Sequence, residues 1–93
     1  MEIRLNEVDF LNYRNGSGDT IEIYDILVNS ERGKGIGTNL LNILKEREPN
    51  KVIFAFTRES NTLARAFYRK NGFQETLIPN FYPENSIMEI LYP

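Results

Sequence analysis

The chain has 93 residues, 41% hydrophobic and 26% charged, with a net charge of −2 and neither cysteine nor histidine. That size fits one domain with a modest core, and the charge gives no basic bias toward nucleic acid. Without cysteine there are no disulfides or thiolate nucleophiles. Without histidine as well, zinc chemistry is disfavoured, so acid–base work falls to Asp, Glu, Tyr, Lys, a terminal amine or water.

Met1-Glu2-Ile3-Arg4 is not a signal peptide, and no apolar run approaches membrane-spanning length. A single cytoplasmic domain over residues 1–93 is expected, with no metal, membrane or nucleic-acid partner. Residues 2–14 alternate imperfectly. Ile3 and Leu5 share one phase, Val8 and Phe10 the other, which reads as two short strands or one strand with a bulge. Asn15-Gly16-Ser17-Gly18-Asp19 signals a hairpin into a strand from Thr20 to Val28. There, Ile21 and Ile23 fall on one face and Ile26 and Val28 on the other. Either both faces are covered, or a bulge near Tyr24-Asp25 resets the phase. The recurrence of bulges beside active sites favours the second. Such a bulge splays the strand from its neighbour and bares backbone groups for a ligand.

Gly33, Gly35 and Gly37 then open a periodic helix, with Ile36, Leu40, Leu41, Ile43 and Leu44 on its apolar side. It should end near Arg47-Glu48, because Pro49 disfavours helix at the residue before it. The run Lys51-Val52-Ile53-Phe54-Ala55-Phe56-Thr57 suits a buried central strand parallel to the Thr20–Val28 strand. Ser60 or Asn61 can cap a second helix through Lys70, with Leu63–Phe67 and Ala64–Tyr68 as apolar pairs and Asn71-Gly72 as its stop. Residues 73–78 and 86–92 read as strands around a Pro- and aromatic-rich loop. The fold class is α/β (α+β), a mixed sheet flanked by two helices, in the order β-β-β-α-β-α-β-β.

The glycine run lets backbone approach a ligand closely and leaves the first helical N–H groups pointing outward at an electropositive end. This is an anion site, suited to phosphate, and Arg32 and Lys34 add charge to it. Three glycine patterns compete. Gly33-Lys34-Gly35 fails P-loop spacing. A dinucleotide fingerprint wants a third glycine where Leu40 or Thr38 stands, and the chain is too short for that fold.

Arg32-Gly33-Lys34-Gly35-Ile36-Gly37, by contrast, matches Arg/Gln-x-x-Gly-x-Gly/Ala after a strand. It resembles the acetyl-CoA pyrophosphate motif of the GNAT superfamily of N-acetyltransferases. The block Asn61-x-x-Ala64-x-x-x-Tyr68-x-x-x-Gly72-Phe73 is similar to that family's second-helix signature. The resemblance covers roughly residues 20–92. It implies transfer of acetyl from acetyl-CoA to a primary amine by direct attack in a ternary complex. Full-length members begin with a strand and two helices that wall off part of the acceptor site. Here only a short β segment precedes the hairpin, so an open cleft, a large acceptor or a homodimer is expected to complete that wall. A non-catalytic acyl-CoA-binding module is the alternative.

The resemblance places the pyrophosphate on the backbone of Arg32, Gly33, Lys34, Gly35, Ile36, Gly37 and Thr38. It places the pantetheine arm beside the backbone of Ile26, Leu27 and Val28, with Asn61 contacting it or serving only as an N-cap. Tyr68 matches the general acid that protonates the departing thiolate, with a core aromatic as the alternative; an ordinary phenol pKa near 10 suits that task. Glu22 stands where some members carry a catalytic glutamate, and it shares the phase of Ile26 only if the strand is regular. Asp25, Glu31 and Glu84 are further candidates for the base. Phe81-Tyr82-Pro83 could line the acceptor site or a dimer contact, or simply pack as a loop. Arg58, Arg65, Arg69 and Lys70 could assist the nucleotide end of CoA or form a solvated face.

Overall fold

The structure, a computed structural model describing residues 1–28, 35–79 and 84–93, begins with two short strands rather than one. These are β1 (Glu2–Arg4) and β2 (Asp9–Asn15). The glycine turn sends β2 into β3 (Thr20–Val28) as an antiparallel hairpin, closed by the Gly16 N–H on the Thr20 carbonyl at 2.9 Å. There follow α1 (Ile36–Arg47), β4 (Val52–Arg58), α2 (Thr62–Lys70), β5 (Gln74–Ile78) and β6 (Ser86–Leu91), the order expected from the hydrophobic pattern. The described strands form one sheet ordered β1-β2-β3-β4-β6-β5, with β3 and β4 parallel and every other pairing antiparallel.

The bulge is present. Asn12 pairs with Asp25 and Tyr13 with Ile23, leaving Tyr24 as the extra residue. The side-chain alternation resets there. Ile21 and Ile23 before the bulge pack in the same core as Ile26 after it, and Ile26 stands opposite core residue Leu11. The bulge also coincides with the end of pairing to β4. The parallel register runs from Thr20 opposite Val52 to Ile23 opposite Ala55 and stops, although both strands continue.

Helix α1 buries Leu40, Leu41 and Leu44 on β1, β2, β3 and β4, through Ile3, Leu11, Tyr13, Ile21, Ile23, Ile53 and Ala55. It ends where Pro49 requires, with the Glu48 N–H still bonded to the Leu44 carbonyl at 2.9 Å and Lys45 and Arg47 at its electronegative end. Helix α2 starts at Asn61, whose side chain accepts from the Ala64 N–H at 3.1 Å, and stops at Gly72 with φ +91°. Tyr68 of α2 joins the same core, so the two helices cover one face rather than sandwiching the sheet. Consecutive right-handed crossovers that advance in the same direction place their helices on one side.

The other face carries no helix among the described residues. Phe54 faces Ile90 there, Phe56 faces Met88 and Phe10 faces Leu27. That corrects the expectation of a fully buried central strand: β4 is central, but Phe56 is 52% exposed. Leu63 also differs from its expected role as half of an apolar pair, being 64% exposed at the start of α2. Among the described residues no helix is long and apolar enough to cross a membrane.

Leu44→Ala should lower stability by about 2–5 kcal/mol, whereas Leu63→Ala should change it by under about 0.5 kcal/mol. Urea unfolding of both variants checks the contrast. Similar losses would mean the core is not where the structure places it.

Candidate functional site

Where β3 and β4 part, they leave a cleft of about 680 Å³ that is walled by residues of both sheet faces. Ile23, Ile26 and Val28 contribute from β3 and Thr57 from β4. Tyr24, Asp25, Phe56 and Arg58 stand around the split itself. Beyond residue 23 no backbone group of β3 pairs with β4, so alternate N–H and C=O groups of that edge are left to whatever enters.

The start of α1 closes one end of the cleft, with Gly35, Ile36, Gly37 and Thr38 in its wall. Gly35 is the N-cap residue at φ +70°, makes no side-chain cap bond, and is followed by no acidic residue in the first turn. Among the described residues no side chain caps the leading N–H groups, an arrangement suited to an external anion. A left-handed residue at this point is tolerated by glycine and costs other residues about 1–2 kcal/mol. Gly37 is needed for a different reason. A Cβ there would lie 2.6 Å from Cε1 of Phe67, so its small size lets α1 close onto α2. Arg32, Gly33 and Lys34, assigned to the same anion site by resemblance, lie outside the described residues. So do Glu31 and Phe81-Tyr82-Pro83.

From α2, Asn61, Ala64, Phe67, Tyr68 and Lys70 line the opposite wall. Asn61 Oδ1 is used as a helix cap. Tyr68 is buried, 4% exposed, and held edge-on by Phe73 at 4.9 Å and Phe67 at 5.3 Å between ring centroids. Burial, reinforced by the charge of Glu89, pushes its phenol well above the ordinary value. The phenol thus stays protonated, but it is a weaker acid than the unperturbed group assumed from the sequence.

Not every expected residue reaches the cleft. Leu27 turns to the bare face opposite Phe10, leaving only its backbone on the strand edge. Glu22 also lies on that face, paired across the hairpin with Arg14 at 2.8 Å, and does not line the cleft. The bulge puts it out of phase with Ile26. Asp25 does line the cleft, while Glu84 accepts from the Ser60 hydroxyl at 2.7 Å ahead of α2. Arg58 and Lys70 border the cleft. Arg65 and Arg69 instead converge on Glu75, each at 2.7 Å, and hold its carboxyl below the usual range.

The sequence reading missed Glu89. It is fully buried on β6, between Ala55 of β4 and Glu75 of β5, and accepts from the Thr57 hydroxyl at 3.2 Å through Oε2. Its Oε1 is buried with no hydrogen-bond partner among the described residues. The signal was available: Glu89 shares its strand phase with Ile87 and Leu91, two core-facing positions. Burial and then the Glu75 charge raise its pKa above the ordinary carboxylate range.

Two outcomes follow. Gly37→Ala should destabilise the protein, and Phe67→Leu should relieve part of that loss, giving a coupling of about 1 kcal/mol in a double-mutant cycle. Strict additivity would contradict the close helix contact. For Glu89, the folded state retains a proton that the unfolded chain has released between the ordinary and the raised pKa. Stability therefore falls as pH rises through that window. Glu89→Gln should remove this component, so its thermal unfolding should gain on the parent as pH rises above the ordinary carboxylate range. A constant difference across pH would contradict the raised pKa.

The sequence profile of the acetyltransferase (GNAT) family matches residues 3–73. No curated protein matches the chain. Among solved structures, Ard1 from Thermoplasma volcanium is 26% identical, with a TM-score of 0.77 over 91% of this chain and 62% of its own. Arabidopsis thaliana Naa50, in complex with the bisubstrate analogue CoA-Ac-MVNAL, is 24% identical, with a TM-score of 0.73 over 92% of this chain and 66% of its own. A GNAT family acetyltransferase from Elizabethkingia anophelis with acetyl-CoA bound is 23% identical, with a TM-score of 0.77 over 98% and 72%. The chain thus spans less than two thirds of the Thermoplasma and Arabidopsis proteins.

Proposed function

Because the chain belongs to the acetyltransferase (GNAT) family, we propose that it binds acetyl-CoA in the split between β3 and β4 and transfers the acetyl group to a primary amine, as a cytoplasmic enzyme. The observation that carries the reading is the cleft itself. One open strand edge, one uncapped helix start and one protonated phenol face a single space. Two relatives whose structures hold acetyl-CoA or a CoA bisubstrate analogue support it.

In this reading the pyrophosphate rests on the N–H groups at the start of α1, with Arg32, Gly33 and Lys34 before it and Gly35, Ile36, Gly37 and Thr38 within it. The pantetheine arm pairs with the backbone of Ile26, Leu27 and Val28 as an added strand, and Asn61 borders it. An N–H of the β3 edge polarises the thioester carbonyl as the amine attacks. The amine must arrive neutral. Asp25 lines the cleft and Glu22 lies on the face beyond the split, and either passes the ammonium proton away through water. Tyr68 then meets the departing sulfur. Its raised pKa makes it first a hydrogen-bond donor to the developing thiolate, and a proton source as that charge forms.

The acceptor reaches the thioester from the bare face, past Tyr24 and Phe56, and a second copy of the chain covering that face would complete its wall. A second reading, an acyl-CoA-binding module without catalysis, is favoured by the weakened acidity of Tyr68. Isothermal titration and an amine panel separate the two. The enzyme reading expects acetyl-CoA binding, acetylation of at least one amine, and a loss in kcat of about 10²–10⁴-fold for Tyr68→Phe with CoA affinity unchanged. Binding without any acetylation would support the module, and no CoA binding would end both.

A further inference from the structure

Three large apolar side chains at the mouth of the split bury little of themselves. Tyr24 and Phe56 are exposed although they line the cleft, and so is Leu63 at the start of α2. Scattered apolar groups on a surface call for no explanation, but several around one opening do. Two of them are held in place. The Arg14 guanidinium, paired with Glu22, lies 5.0 Å from the centroid of the Tyr24 ring, and Phe54 meets Phe56 edge-on at 5.8 Å. Apolar surface that is both fixed and open is a preorganised wall for an apolar body.

The charges around this wall are specific as well. Asp25 carries the only carboxylate among the described cleft residues. It stands opposite Asn12, which lies between core-facing Leu11 and Tyr13 and so faces the bare side, the side from which the acceptor comes. Among the described residues no ion pair or side-chain hydrogen bond engages the Asp25 carboxylate. Arg58 and Lys70 are the cations of the same cleft, and Arg14 stands at the Tyr24 ring. One carboxylate holds one ammonium, and a second positive charge on the incoming molecule meets repulsion. We propose that the acceptor is a primary amine of single positive charge carried on an apolar body, with its ammonium drawn to Asp25 and its body against Tyr24, Phe56 and Leu63. The inference rests on the acetyl-transfer reading and supplies its substrate class. The two rings contribute twice, because an aromatic face also attracts an ammonium. A free arylalkylamine and the amino terminus of a peptide beginning with an apolar residue share this chemistry.

The test starts with binding, so it does not depend on turnover. In NMR spectra of the full chain with CoA present, 2-phenylethylamine should shift the resonances of residues 24, 25 and 56. Ethanolamine and spermidine should bind on the order of tenfold more weakly. Asp25→Asn and Phe56→Ala, both at exposed positions, should each weaken 2-phenylethylamine by about as much. Absence of shifts at those residues, or equal binding of ethanolamine or spermidine, would overturn the proposal. With acetyl-CoA, 2-phenylethylamine should be acetylated ahead of ethanolamine, or a peptide amide beginning with phenylalanine ahead of one beginning with serine. The pair with the larger contrast identifies the source of the amine. Phe56→Ala should raise the KM for the preferred acceptor and leave the KM for acetyl-CoA unchanged. Specific binding without acetylation would support the amine site and end the acetyl-transfer reading. Acetylation that favours ethanolamine or spermidine would sustain that reading and overturn the proposal.

Discussion

One inserted residue organises this protein. Tyr24 has no partner on β2, and its insertion has two consequences. It rotates the chain so that Ile26 returns to the core side already occupied by Ile21 and Ile23, which gives β3 a single apolar face despite its shifted sequence phase. It also marks the point at which β3 and β4 stop pairing. A regular strand would either turn Ile26 to the bare face or continue the parallel ladder and seal the cleft. Core formation and ligand access thus share a single irregularity, placed within a hairpin whose antiparallel partner tolerates it.

The remaining parts of the site are arranged by the packing of two helices on that same face. Gly35 begins α1 in a left-handed conformation, and Gly37, two residues on, admits the Phe67 ring that locks α1 to α2. The same contact sets the start of α1 across the cleft from Tyr68. Charge is then distributed asymmetrically beneath α2. Arg65 and Arg69 pair with Glu75, while Glu89, across the strand pair from it, is buried with the Thr57 hydroxyl as its hydrogen-bond donor. The Tyr68 phenol is made a weaker acid first by its own burial and then by the charge of Glu89, a residue on another strand at a position no motif includes.

What could be read from the sequence was whatever local periodicity or turn chemistry encodes. The hairpin glycines, the α1 stripe from Leu40 to Leu44, the stops at Pro49 and Gly72, and the phase slip at Tyr24-Asp25 each have a local physical cause, and each appears in the structure. What could not be read depends on which face a residue ends on after tertiary assembly. Glu22 matches a family position by resemblance and shares the phase of Ile26 only in a regular strand, and the bulge between the two leaves it on the face of Arg14, opposite to Ile26. Both helices lie on one side because of crossover direction, which no window of sequence displays. Glu89 was legible in phase yet passed over, because a charged residue in a final strand is ordinarily taken as solvated.

In the proposed function, acetyl-CoA lies along the β3 edge freed by Tyr24. Amide hydrogen exchange measured by NMR, with and without acetyl-CoA, tests this most directly. Within residues 24–28, the amides facing β4 should slow sharply on ligand addition, while those already bonded to β2 should keep their rates. Acetyl-CoA bound without protection anywhere along that edge, or protection confined to the bare face of the sheet, would contradict it.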